Sequence, residues 1–280
     1  MSRPIALALS LALASALIER SASAHDYWLE PIVDRIDGAS AHMTGHLWVG
    51  EALVAEMERG PESARVEVLR VFGAEGMEDR TATLGDATEP PFLRLELPAS
   101  APRLVHLQRG ITRIELPADR FNAYLRSEGL LRAFRERRRL GESAQPGRER
   151  YGRCVSALVS PSMEPAPASV FAADTGCPIA ILPARDPSHL RAGAALAFSV
   201  RFRGQPLADV AVDLVQRDAQ GRVHSMRVQT DRQGLGRVRL PTSGFSVLRT
   251  VTMARAEVPD AEWESWWASY SFTNARPATP

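Results

Sequence analysis

The chain has 280 residues, 34 basic and 33 acidic, for a formal net charge of +1, with 45% hydrophobic and 24% charged residues. That balance excludes an electrostatic footprint for nucleic acid or an anionic membrane surface, and the composition is globular rather than disordered. Every basic side chain is Arg, so a Schiff-base or phosphate-loop lysine is excluded as well.

Residues 1–24 have the pattern of a secretory signal peptide. Arg3 supplies the positive start, Ile5 to Ile18 the apolar run, and Ala22-Ser23-Ala24 the small-x-small cleavage signal. The run is short of the ~20 residues that a membrane span needs. An uncleaved anchor is the alternative, and Glu19 and Arg20 are unusual so near a cleavage site. Nothing later in the sequence is apolar enough to span a bilayer. The expectation is an exported, periplasmic protein.

Cleavage after Ala24 would leave His25 as the first residue. Its α-amine and imidazole are two adjacent nitrogen donors, which with a second His would form a three-nitrogen site for Ni, Cu or Zn. The plain alternative is that His25 simply opens a strand continued by Asp26 to Pro31.

Residues 25–118 are predicted to form a β-sandwich, with short alternating runs set between Gly and Pro. In Ala41 to Gly50, His42, Thr44, His46 and Trp48 would share one strand face, and Met43, Leu47 and Val49 the other. On a strand, His42 and His46 lie ~13 Å apart, too far for one ion. At most one of them would join His25, and His46, beside Gly45, is the choice. His106 sits between apolar neighbours, while His189 and His224 fall near turns.

Residues 119–178 are predicted as a helical segment followed by a Pro-rich linker. Asp119 is the expected N-cap, Phe121, Tyr124 and Leu125 follow at helical spacing, and Gly129 separates a second helix to Leu140. Arg135 to Arg139 reads as a solvated face, with an anion or partner contact as the alternative. Tyr151, Cys154, Val155, Leu158 and Val159 also match a helical period, which would put Cys154 on a buried helix stripe. In an oxidising compartment Cys154 and Cys177 would form a disulfide, the alternatives being a buried thiol and a metal ligand.

Residues 179–275 are predicted as a second sandwich, followed by a short tail at 276–280. Turns are expected at Arg203–Leu207, Asp218–Gly221 and Thr230–Gly234. The aromatic stretch Trp263 to Phe272 would be a last strand in the core, or alternatively a face for stacking carbohydrate. The order Gly204-Gln205-Pro206-Leu207, Thr230-Asp231, Gly234 and Leu240-Pro241 resembles transthyretin-like domains of carboxypeptidase regulatory regions. That resemblance implies a binding or spacer module.

A second resemblance spans nearly the whole mature chain. His25-Asp26-Tyr27-Trp28-Leu29-Glu30-Pro31 resembles the opening of an exported bacterial family of unknown function related to periplasmic nickel-uptake components. The match continues in Val49-Gly50-Glu51, Phe121 to Leu130, Gly141-Glu142-Ser143, Arg148 to Tyr151 and Asp260 to Ala268. It implies an exported two-part β protein that handles Ni or a related metal. It also implies a His between Val251 and Met253, where this chain has Thr252.

The sequence therefore predicts a mainly β protein of two β-sandwich domains joined by a short helical segment. Hydrolase, zincin and nucleotide-binding motifs are absent, so no enzyme is expected. The function expected is periplasmic binding or delivery of Ni or Cu through His25 with His46 or His42. The alternatives are a metal-free envelope module that binds a protein or glycan, and a copper oxidase built on His25.

Overall fold

The structure, a computed structural model, describes residues 26–60, 65–84 and 89–274. His25, residues 1–24, expected to be a signal peptide, and the expected tail at 276–280 lie outside the described residues.

Among the described residues, sixteen strands and three α-helices follow in chain order. The first six strands are β1 (Asp26–Asp37), β2 (Ser40–Glu51), β3 (Val54–Arg59), β4 (Val66–Gly73), β5 (Gly76–Asp79) and β6 (Leu93–Pro98). Then come β7 (Arg103–Leu116), α1 (Ala118–Ser127), α2 (Leu131–Arg139), β8 (Gly147–Val159) and α3 (Ala168–Phe171). The rest are β9 (Ile179–Pro183), β10 (Ala195–Phe202), β11 (Gln205–Pro206), β12 (Ala211–Asp218), β13 (Val223–Gln229), β14 (Leu235–Arg239), β15 (Gly244–Arg255) and β16 (Trp263–Asn274).

The fold is mainly β, with two sandwich layers built on one shared sheet. An eight-stranded sheet runs β13-β12-β15-β16-β8-β7-β4-β5 and so takes strands from both halves of the chain. A small sheet of β1, β2, β3 and β6 packs on one face, burying Leu29, Met43 and Leu47 against Val105, Val155 and Ala157. A second small sheet of β9, β10, β11 and β14 packs on the opposite face, burying Ile181, Leu196 and Phe198 with Leu158, Leu248 and Phe272.

Residues 147–159 are strand, not helix. β8 lies between β7 and β16 at the centre of the sheet, with Cys154 and Leu158 in one core and Val155, Ala157 and Val159 in the other. A strand buried on both faces has no polar alternation, so its apolar run also satisfies a helical period. Cys154 and Cys177 do form a disulfide, with Cα atoms 6.0 Å apart, which ties β8 to the stretch before β9. That stretch packs inward, with Val170 and Phe171 of α3 buried in the second core.

The aromatic tail strand β16 is buried: Trp263, Trp266, Trp267, Tyr270 and Phe272 are each at most 9% exposed. It presents no carbohydrate-stacking face. The helices α1 and α2 close the end of the shared sheet, where Phe121, Tyr124 and Leu125 meet Val251, Trp263 and Trp267. Pro117, not Asp119, is the N-cap of α1, and Asp119 lies in its first turn. There its carboxylate suits the positive end of the helix dipole.

Candidate functional site

The outer face of β2 is as the sequence predicts. His42, Thr44, His46 and Trp48 are half-buried on one face, while Met43, Leu47 and Val49 are in the core. Each imidazole has its own partner. His46 Nδ1 lies 2.7 Å from Glu58 Oε1 and its ring stacks on Trp48, while His42 Nε2 meets an Arg35 guanidinium nitrogen at 3.3 Å. Asp26 stands opposite Gly50 and His46 opposite Glu30. The start of the described chain is thus four strand positions, ~13 Å, from His46. The geometry does not bring His42 and His46 together. Among the described residues no group of three or more His, Cys, Asp or Glu is placed to hold a metal ion.

What the chain does meet at Asp26 is a charge cluster. Arg249 on β15 contacts Asp26 at 2.9 Å and Glu128 at 2.8 Å through one nitrogen, and Asp213 at 2.9 Å through the other. Asp213 also accepts from Arg227 Nε at 2.6 Å and Nη2 at 2.8 Å. Burial pushes the Asp26 carboxyl up to about 6, against the pull of Arg249 and the Ala52 N–H. Burial also raises Glu128, again against Arg249.

Below α1 lies a second buried acid. Glu149 accepts hydrogen bonds from the Tyr124 hydroxyl at 3.1 Å and from Ser265 Oγ. Burial pushes its carboxyl up to about 7. The opposite case is His106, buried with Nδ1 2.9 Å from Ser156 Oγ and pushed down to about 3, mainly by desolvation.

Among the described residues, a groove of roughly 750 Å³ with room for a ligand lies between α2, the segment before β12 and the end of β15. Its apolar lining includes Leu130, Leu207, Val251 and Met253, and Thr252 opens onto it. Arg132 and Arg135 form a wall, which Arg139 extends along α2. Arg137 departs from the predicted solvated face: it is 1% exposed, lies over the Phe121 ring and bonds Asn122. The sequence signalled the arginines but not the groove, which is made by elements distant in the chain.

A family model, a domain of unknown function (DUF4198), matches residues 22–254. The chain belongs to that family. The match runs from just before β1 to near the end of β15, so it includes the charge cluster and the groove lining apart from Arg255. No curated protein matches the chain. Among solved structures, dimeric latent PorU from Porphyromonas gingivalis aligns at 10% identity with a TM-score of 0.19. That alignment covers 94% of this chain and 21% of PorU, so the chain spans about a fifth of it. A likeness at that level supports no statement about fold or function.

Proposed function

We propose that the protein is an exported, non-catalytic β-sandwich module that binds a segment of another envelope protein in the groove between α2 and β15. The observation that carries this reading is the groove itself, half apolar and bordered by guanidinium groups. Its volume is in the range of sites that bury a ligand. The strand order from β10 to β15, with its transthyretin-like turns, supports a binding module, and the apolar run at Ile5–Ile18 supports export. Glycan binding loses its sequence basis, because the aromatic tail is core.

The test is a photo-crosslinking residue at Thr252 in protein exported by the cell, with a control at Val223. A discrete adduct identified by mass spectrometry, absent from the control and abolished by Ala208→Trp, is the expected result. Equal adducts at both positions, or none at Thr252, overturn the reading.

A second reading is a transition-metal site at the processed N-terminus, as the nickel-uptake resemblance implies. The observation favouring it is the surplus of carboxylates where the chain enters: Asp26, Glu128 and Asp213 share Arg249. The described residues do not by themselves make a metal site, so His25 would supply two donors, with a nearby carboxylate rather than His46 as the third. Exported protein titrated with Ni(II), Cu(II) and Zn(II) would bind one equivalent tightly and lose it in His25→Ala. Unchanged binding in that variant, or none in the parent, removes this reading.

A further inference from the structure

The groove has a feature that its lining does not convey: one side of it is an open strand edge. β15 pairs with β16 along its full length, through Arg255 opposite Trp263. On its other side it pairs with β12 only as far as Thr250 opposite Val212. Beyond that point no described strand pairs with Val251–Arg255 on that side. The cause is local. Asp209 has φ +55, in the left-handed region, and turns the chain away just before β12. Thr230 then holds the diverted segment, exchanging backbone bonds with Val210 at 3.1 Å and with Asp209 at 3.1 Å. A lane next to β15 is therefore open where β12 would otherwise run.

An open edge of this kind presents backbone donors and acceptors that favour pairing with another chain. At ~3.4 Å per residue, Val251–Arg255 offers about 17 Å of edge, enough for a short strand. The flanking apolar positions, Leu207 and Met253 among them, give alternate side chains of an added strand something to pack on.

Charge decides what kind of strand. Arg132, Arg135 and Arg139 lie at i, i+3 and i+7 on α2, are exposed, and form no ion pair among the described residues. Two acids line the groove: Glu136 is engaged by Arg255 Nε at 3.0 Å, which leaves Asp209 as one carboxylate against the arginines of α2. Two such guanidinium groups in the groove lining, Arg132 and Arg135, with Arg139 one turn further along α2, match carboxylates and repel a basic segment. Residues 275–280, Ala-Arg-Pro-Ala-Thr-Pro, do not fit, since they carry an Arg and no acidic side chain.

We propose that an extended, acidic segment of a partner protein adds as a strand to the open edge of β15 at Val251–Arg255, its carboxylates facing Arg132, Arg135 and Arg139. This rests on the groove being a binding site, and it names the partner's chemistry and the main-chain mode of capture.

The experiment is a selection of random twelve-residue peptides on the exported protein, followed by affinity measurement on synthetic copies of the winners. Selected peptides should be rich in Asp and Glu alternating with apolar residues. Affinity should fall at least tenfold in the Arg132→Glu, Arg135→Glu, Arg139→Glu triple variant. N-methylation of the winning peptide at every second residue should abolish binding in one register and leave it within about twofold in the other. That measurement leaves the protein untouched, so misfolding does not enter.

Amides of 251–255 should gain protection from hydrogen exchange in the complex. Basic or neutral winners, binding indifferent to both N-methyl registers, or no enrichment at all overturn the proposal. So does a concentration-dependent dimer that excludes the peptides, which would assign the edge to a second copy of the chain. A Thr252 crosslink to an envelope protein combined with any of these results would leave the groove reading standing and remove only strand addition.

Discussion

Glu149 offers the sharpest test of the buried electrostatics. The carboxyl sits under α1 with Tyr124 and Ser265 as its hydrogen-bond donors, and burial raises it from 4.5 to about 7. A raised carboxyl binds its proton more tightly in the folded chain than in the unfolded one. Between pH 4.5 and about 7 the folded state therefore holds more protons, and stability falls as pH rises through that window. At ~1.4 kcal/mol per pH unit, the loss across the window is about 3 kcal/mol.

Glu149→Gln keeps an acceptor for Tyr124 and Ser265 but cannot ionise. Denaturant unfolding of both proteins at pH 4.5, 5.5, 6.5 and 7.5 measures the effect. The stability of the variant relative to the parent should climb by about 3 kcal/mol from the lowest pH to the highest. The comparison has to be a difference, because His106 acts in the other direction. Pushed down to about 3, its imidazole contributes stability that grows as pH rises to about 6.5. Asp26, raised to about 6, adds to the Glu149 trend. Both are present in parent and variant, so they cancel. A difference constant across the four pH values would refute the assignment of Glu149 as a buried, weakened acid.

Three further outcomes follow from packing and charge. Replacing Cys154 and Cys177 by Ser opens a loop with a sequence separation of 23 and should cost about 3 kcal/mol, read from denaturant midpoints. A Cβ at Gly152 would lie 2.3 Å from the Trp266 ring, so Gly152→Ala should destabilise by about 1–3 kcal/mol, measured as a lowered Tm. Arg249→Met leaves Asp26, Glu128 and Asp213 without their shared cation and should cost about 3–5 kcal/mol at pH 7.5. That loss should shrink at pH 5, where Asp26 is largely protonated; an equal loss at both values would count against the charge account.

Much of the fold was legible because alternation is a local signal. β2 was readable from His42 to Val49, and the turns at Gly204, Gly221 and Gly234 occupy the left-handed region that glycine permits. β8 was not legible as a strand, because both of its faces are buried and its apolar residues lose the period of two. The shared sheet was hidden for a related reason. The parallel pairing of β8 with β16 joins residues more than a hundred positions apart, and nothing local encodes it. The site shows the same division. The basic run on α2 was visible in the sequence, whereas the open edge of β15 depends on where β12 departs, and that depends on a single positive φ at Asp209. Arg249 gave no signal at all: it is one arginine in a strand, and its importance comes from three acids contributed by β1, the end of α1 and β12.

Those acids also explain how the groove keeps its shape. Glu128 is the C-cap of α1 and binds Arg249 at 2.8 Å, while Arg227 donates to the Ser127 carbonyl at 2.6 Å. The end of α1 is thus anchored to β12, β13 and β15 by charge-assisted bonds. Gly129, with φ +71, turns the chain there, and α2 begins two residues later at Leu131. α2 is the basic wall of the groove, and it is tied to β15 both through this anchor at the end of α1 and directly, by Arg255 Nε donating to Glu136 Oε1 at 3.0 Å. Arg249 and Val251 lie two residues apart on the same face of β15, the first holding the anchor and the second packing under the helices. Loss of Arg249 should therefore do more than lower stability. It should release α2, seen as faster amide exchange over Leu131–Arg139, and weaken any ligand that bridges α2 and β15 under conditions where the rest of the sheet remains protected. Exchange that rises uniformly across the shared sheet would show instead that the cluster stabilises the whole fold and has no particular bearing on the groove.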